Sequence, residues 1–383
     1  MIRLNTPTLK SVRSALPLVC ASLLMMLAPS AQAQGGSDLP RSTVEAISVS
    51  GSQRTQINEF VEVWTARALS DDAQSAKKAM EALTEPLNQR GVSVAFRQTY
   101  TQAIASLLGE FDAIDSVGST LAALRLAGDL ATPSAASRIQ SAIKSSDDLG
   151  VQVFAVARAG QVFDVTIKHG PAMTAGDARS LIEAIESIAS GASSDDLNPE
   201  LLRSCVRALS IATRLSSRDM GDTRSLAVNA LANIVGPHLR SLGINDDPSF
   251  AQDLALQAAS AMTTSISDIS SDTTPDAVKS AVGLGGDIIS VALRQVLKNT
   301  IAPVDDRELT TRSVQAGETL LYFALRNDAE LDNNYGQTVR QTAFAEQLAA
   351  GDDKAFRNAA SLLLGARSAI CSGFGFDDNR FVR

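Results

Sequence analysis

Histidine is nearly missing from this 383-residue chain, which holds only His169 and His238. They fall in different predicted elements, and no carboxylate or cysteine lies at ligand spacing from either. A zinc site, which needs several nitrogen or sulfur ligands converging at set spacing, is therefore unsupported. Aromatic residues are also scarce, at 12 Phe, 3 Tyr and 1 Trp. Surfaces that stack bases or sugars on rings are poorly provided for. Positive charge is in deficit, with 34 Lys and Arg against 42 Asp and Glu and a formal net charge of −8. That balance argues against nucleic acid as a partner, since neutralising phosphates needs a basic surface. Nucleophile-elbow and phosphate-loop patterns are absent too. Gly283-Leu284-Gly285-Gly286 starts like a dinucleotide loop, but Ile288 stands where the last glycine belongs and no strand precedes it. These glycines read instead as places where helices pack closely or where one helix breaks. Asp332-Asn333-Asn334-Tyr335-Gly336 lacks the alternate spacing and closing glutamate of a calcium loop and reads as a turn. No cofactor is expected.

Long hydrophobic runs are missing as well, apart from one at the start. Arg3, Lys10 and Arg13 precede an apolar run from Ala15 to Leu27, and Ala31-Gln32-Ala33 offers small residues for cleavage. Residues 1–33 are read as a signal peptide, the run being too short to span a bilayer about 30 Å thick. Cleavage removes three positive charges and no negative ones, so the net charge moves from −8 to −11. The expected destination is the periplasm or the outside of the cell, with no transmembrane segment in the mature chain. Residues 34–52 are read as a flexible linker, 53–370 as a helical domain and 371–383 as a C-terminal tail. Of three cysteines, Cys205 and Cys371 survive cleavage. An oxidising compartment permits a bridge between them, although the apolar neighbours of Cys205 suit a buried thiol equally well.

What the chain does have is helical periodicity. Leu181, Ile182, Ile185, Ile188 and Ala189 fall on one helical face; Leu201, Leu202, Cys205, Val206 and Leu209 repeat the pattern. Further helices are predicted around 54–69, 72–89, 94–109, 222–241, 249–268, 275–298, 307–326, 335–349 and 353–370. Aspartate pairs at 71–72, 147–148, 195–196, 246–247, 305–306 and 352–353 each stand just before a new helical pattern. Aspartate there caps free amides at the positive end of the helix dipole. The stretch 121–160 shows the unit in full. Leu121, Leu124, Ala127 and Ala131 stripe a first helix, Ala131-Thr132-Pro133 turns the chain, Ile139, Ala142 and Ile143 stripe a second, and Asp147-Asp148 opens a third. That third helix is apolar nearly all round from Val151 to Ala157, so it must be covered on several sides. The alternation in "VQVFAV" and "QVFDVTI" also fits strands, but between firm helices the helical reading is preferred.

The 121–160 stretch resembles a HEAT-type repeat: a helix ending Leu-x-x-Gly, an Asp-x-x-x-Pro turn, a striped helix, an acidic turn and a Val/Ala-rich helix closing on Gly. A partial second copy is seen at 352–366, whose "DDKAFRNAASLLLGA" aligns with "DDLGVQVFAVARAGQ" at 147–161. The resemblance implies an all-α fold, an α-solenoid-like stack of antiparallel helix pairs. It carries no active site. An irregular helical domain with one such pair is the structural alternative.

Two features bear on partners. Arg203, Arg207, Arg214 and Arg218 recur along one predicted helix and could grip carboxylates of another protein; pairing with Glu183, Glu186 or Glu200 is the competing reading. The tail places Phe374, Phe376 and Phe381 beyond the last helix, where folding back, docking elsewhere and disorder are all open. The leading expectation is an exported, non-catalytic scaffold or protein-binding module. An enzyme using scattered carboxylates, and a small-molecule or lipid carrier with a pocket between helices, stand as the alternatives.

Overall fold

The computed structural model describes residues 38–70, 72–114, 116–190, 198–243, 246–268, 273–326, 343–365 and 368–381. The expected leader 1–33, residues 34–37 of the expected linker, the pair Asp195-Asp196 and the turn at 332–336 lie outside them. The described residues form an all-α fold with no strand among them. Both segments that also read as strands lie inside one helix, Leu149–His169.

Helix starts are set by short oxygen-bearing side chains that accept from otherwise unpaired amides. Ser50 and Gln53 close a capping box ahead of α2 (Gly51–Ala68). Asp72 accepts from the amides of Gln74 and Ser75 at α3 (Ala73–Asn88), Ser93 from Phe96 at α4 (Val94–Ala113), and Ser116 from Ser119 at α5 (Val117–Leu130). Ala131 ends α5 in the left-handed conformation, φ 51°, and Pro133 begins α6 (Pro133–Ser145), so the turn read from Ala131-Thr132-Pro133 is where the chain reverses. Asp148 caps α7 (Leu149–His169), and Asp352 caps the helix Asp353–Leu364. Asp247 takes the Ser249 amide at 2.9 Å instead of serving as the formal cap, and Asp305-Asp306 lie in a single 3-10 turn. The aspartate punctuation thus marks helix starts by three related means.

Residues 39–46 of the expected linker are held against the helices, while Ile47 beyond them is exposed. Leu39 and Val44 are buried around the short α1 (Arg41–Val44), and Ser93 donates from its amide to Val44 O and from its hydroxyl to Ala46 O.

The long helices lie in two rows. In the first, α3 packs on α5, α5 on α7, α7 on α9 (Pro199–Ala212), α9 on α12 (Ser249–Ile266) and α12 on α14 (Glu308–Arg326). In the second, α2 packs on α4, while α6, α8 (Ala175–Ser190), α11 (Thr223–Ser241) and α13 (Pro275–Leu297) follow one another. Successive helices close the gap between rows. At the C-terminal end, α15 (Ala343–Ala349) lies on α14, and α16 (Asp353–Leu364) lies on α13 and α15. The two stretches aligned from sequence therefore sit differently, 149–161 in the first row and 353–364 against the second.

The core is one continuous apolar cluster from Leu39 to Phe381. Its densest point is α13, buried from Ala281 through Leu293. The glycine run does not break this helix. A Cβ on Gly285 would lie 2.9 Å from Gly317 O of α14, so the two backbones touch there. On another side of α13, a Cβ on Gly286 would lie 2.5 Å from the Phe381 ring. The tail has folded back: Phe381 is buried, α17 (Ala369–Phe374) leads into it, and Ser290 donates to Phe381 O.

Candidate functional site

Every first-row helix from α5 to α12 has row neighbours on both flanks and the second row behind it, so one side of each faces outward. On α9 that side carries Arg203, Arg207 and Ile211, and Arg214 follows two residues past the helix end. Arg203 pairs with Glu200 at 2.5 Å, and its guanidinium lies 4.9 Å from the ring centroid of Phe250 on α12. Arg207 and Arg214 are exposed and meet no partner among the described residues. Arg218 is exposed too but sits elsewhere. The helix ends at Ala212, Leu215 is drawn into the core with its carbonyl held by Arg224 Nε at 2.9 Å, and Arg218 falls on α10 (Ser217–Met220), which packs on α8 and α11. The four arginines are thus not on one helix: three share a stripe and the fourth does not. Of the acids that could have paired them, only Glu200 does so; Glu186 instead accepts from Asn233 at 2.8 Å.

The stripe continues onto neighbouring helices. Gly160 of α7 lies against Ala208 and Ile211 of α9, which brings the outward residues of α7 beside those of α9. Phe154, with Arg158 held 4.6 Å from its ring centroid, lies on the other flank of α7, where Arg158 and Gln161 pack against Gly128 of α5. Beyond Phe250, an open groove of about 340 Å³ runs between α12 and α14, lined by Leu256, Ser260, Thr263, Arg312, Gln315 and Ala316. Farther along α14, Arg326 lies 3.7 Å from the Tyr322 ring centroid. Phe154/Arg158 and Tyr322/Arg326 are four residues apart on a helix, a spacing that the sequence itself carries. Arg203/Phe250 joins distant segments and had no local signal.

The buried charges serve another purpose. Arg97 is fully buried and donates to Leu87 O at 2.9 Å, to Leu130 O at 3.3 Å and to Asp129 O, so one guanidinium closes the carbonyl ends of α3 and α5. Burial pulls its pKa down to about 10, with nearby Asp129 opposing. Asp129 is itself raised by burial, opposed by Arg158, Arg125 and Arg97 and by the Gln161 amide. Asp287 of α13 is raised by burial and held by Arg380 of the tail, at 2.9 Å, and by Arg240 of α11, at 2.5 Å. Glu318 of α14 is pushed up to about 7, chiefly by burial, while accepting from the amides of Phe344 and Ala345 at the start of α15. Each of these groups ties helix to helix.

Cys205 and Cys371 are both buried free thiols. His169 ends α7 and His238 lies in α11; burial lowers both. Among the described residues, no cluster of three His, Cys, Asp or Glu side chains could hold a metal. One described helix, Pro275–Leu297, is long and apolar enough to cross a membrane, and 78% of that window is buried inside the protein. No protein-family model matches the chain, and no curated protein matches it in sequence.

Proposed function

We propose that this chain is an exported, non-catalytic helical scaffold that binds another protein, built as an α-solenoid-like, HEAT-like stack of antiparallel helix pairs. The order of helix contacts carries the reading. Each long helix is covered mainly by helices one or two places away in its two-row sequence, the pattern expected when pairs stack in a line and leave a long outer face. Side-chain ties spanning a near-constant length of chain support it: Arg179–Asp222, Arg224–Asp268, Arg240–Asp287 and Arg307–Asp353 bridge 43, 44, 47 and 46 residues. That interval is about two helices and a turn, close to the steps between aspartate pairs. The positive leader, apolar run and Ala31-Gln32-Ala33 support export.

Site-specific photo-crosslinking on the full chain tests the reading. A crosslinker at the outward Ser204 of α9, and another at the exposed Ser187 of α8, are expected to trap a defined protein adduct from at least one position. No adduct from either row, together with turnover of a small substrate by the purified chain, would refute it. N-terminal sequencing of the exported form is expected to begin at Gln34.

A further inference from the structure

The outer face of α9 and the residues just past its end carry two exposed arginines, Arg207 and Arg214, beside a third that is held over an aromatic ring. We infer that this face is a binding surface for an extended, carboxylate-rich protein segment, gripped by Arg207 and Arg214 and seated against Arg203 and the ring of Phe250. The inference deepens the scaffold reading and rests on it.

Three observations carry it. The first is unspent charge. Arg207 and Arg214 are exposed with no partner among the described residues, although Glu and Asp outnumber Lys and Arg in the chain. A guanidinium presents a planar fork of donors that matches a carboxylate, and its shell of water is weakly held. The second is preparation. Arg203 is fixed between Glu200 and the Phe250 ring, so this long side chain has already lost much of the freedom that binding would remove. The third is continuity. The Gly160 contact with Ala208 and Ile211 joins α7 to α9, Arg203 over Phe250 joins α9 to α12, and the groove beside Leu256 and Arg312 prolongs the strip to α14.

Spacing and charge select the occupant. Arg203 and Arg207 stand one turn apart, about 6 Å along the axis at about 1.5 Å per residue. An extended chain advances about 6.6 Å over two residues, so alternate carboxylates meet the two arginines while the residues between point away. Nucleic acid or a sulfated polysaccharide would also bring anions. However, the N-terminal edge of the first row is lined by exposed aspartates, at 147–148 before α7, 246–247 before α12 and 305–306 before α14. The like charge along that edge disfavours a densely charged polymer on this face. A segment with a few carboxylates among neutral and aromatic residues can satisfy the arginines without meeting the same repulsion.

The full chain is tested by fluorescence anisotropy with a short fluorescein-labelled peptide in which Glu alternates with Ser and Phe, and with the same peptide carrying Gln for Glu. Binding of the Glu peptide is expected to weaken at least about tenfold on Glu-to-Gln replacement and as much in Arg207→Glu/Arg214→Glu, with a marked fall on adding salt. Lys144→Glu, a charge reversal on α6 of the second row, is expected to leave it within about twofold. Helical circular dichroism checks that each variant folds. The inference is overturned if the Glu peptide does not bind below about 1 mM, if the double reversal changes nothing, or if a DNA oligonucleotide or heparin binds more tightly than the peptide. If the double reversal leaves capture of a crosslinked protein intact, this face is wrong while the scaffold reading stands; absence of any captured protein strikes the scaffold reading itself.

Discussion

Gly286→Ala is the perturbation that interrogates the C-terminal closure. In an open helix the change stabilises, because glycine is about 1 kcal/mol worse than alanine in a helix interior. Here the added Cβ would sit 2.5 Å from Phe381 Cε1 and 2.7 Å from Cζ, and the three nearest atoms all belong to that ring. The ring is buried, its backbone is tethered by Ser290 and its neighbour Arg380 is bonded to Asp287, so it cannot step aside without lifting the tail. Losing a buried Phe side chain costs about 3–5 kcal/mol. Set against the propensity gain of about 1 kcal/mol, the net is a loss of about 2–4 kcal/mol in tail docking. The assay is chymotryptic release of the C-terminal peptide, which follows the open population when closing outpaces cleavage. At about 1.4 kcal/mol per tenfold, release should quicken about 30- to 700-fold. Two controls fix the sign. Gly109→Ala in α4, where an added Cβ has nothing within 4 Å, is expected to stabilise by about 0.5–1 kcal/mol. In a Phe381→Ala background the clash is gone, so Gly286→Ala should turn from harmful to neutral or helpful, a strong coupling between the two sites. Additive effects would refute this account of the tail.

Other outcomes follow from the buried groups. Arg97→Met strips donors from three carbonyls at the ends of α3 and α5 and is expected to destabilise by about 3–5 kcal/mol in urea melts, with Arg97→Lys recovering only part. Glu318 has its folded pKa raised to about 7 against an ordinary value near 4.5, so the folded state holds a proton that the unfolded state has lost. Its contribution is therefore fully present below pH about 4.5 and fades as pH rises through about 7, and Glu318→Gln is expected to remove that part of the stability–pH slope in melts at matched ionic strength. Burial pushes the Cys205 thiol up to about 12, and Cys371 is also buried, so both should resist a thiol reagent in the native chain and react without prior reduction once it is unfolded.

Much of the fold could be read from sequence because its signals are local. The 3.6-residue stripes placed α11, α12, α13 and α14 within two residues of their ends, and Asp72, Asp148 and Asp352 cap where a helix start was expected. What failed lay where local signals run out. Arg214 continues the apolar-and-arginine period past Ala212, but the burial of Leu215 ends the helix first, a tertiary effect that no window of residues carries. The Ser and Gly of 34–52 suggest a linker; Leu39 and Val44 are buried because distant Ser93 holds that segment down. The glycine run offered two readings, and its contacts with Gly317 and Phe381, roughly thirty and ninety-five residues away, are what select close packing. Of the candidate site, the arginines were legible as residue types. That Arg207 and Arg214 meet no partner among the described residues was not, since it depends on which acids fold beside them.

The distribution of charge follows from the architecture. A helix start needs acceptors, so aspartate collects at the turns, six exposed examples preceding α7, α12 and α14 alone. A helix end needs donors, and arginine supplies them: buried Arg97 closes the ends of α3 and α5, and half-buried Arg294 donates to Leu239 O and Leu242 O at the end of α11. Further arginines stitch one pair to the next through Asp222, Asp268, Asp287 and Asp353. Capping and stitching account for most of the arginine inside the molecule and for the acid along its edge. Neither requirement accounts for Arg207 and Arg214, which are exposed and pair with no acid among the described residues. Folding alone would be served as well by serine or glutamine at those positions. That mismatch between what the fold requires and what the sequence supplies, beside the Arg203–Phe250 contact, is what recommends the α9 face over the buried ion pairs as the place to test for a partner.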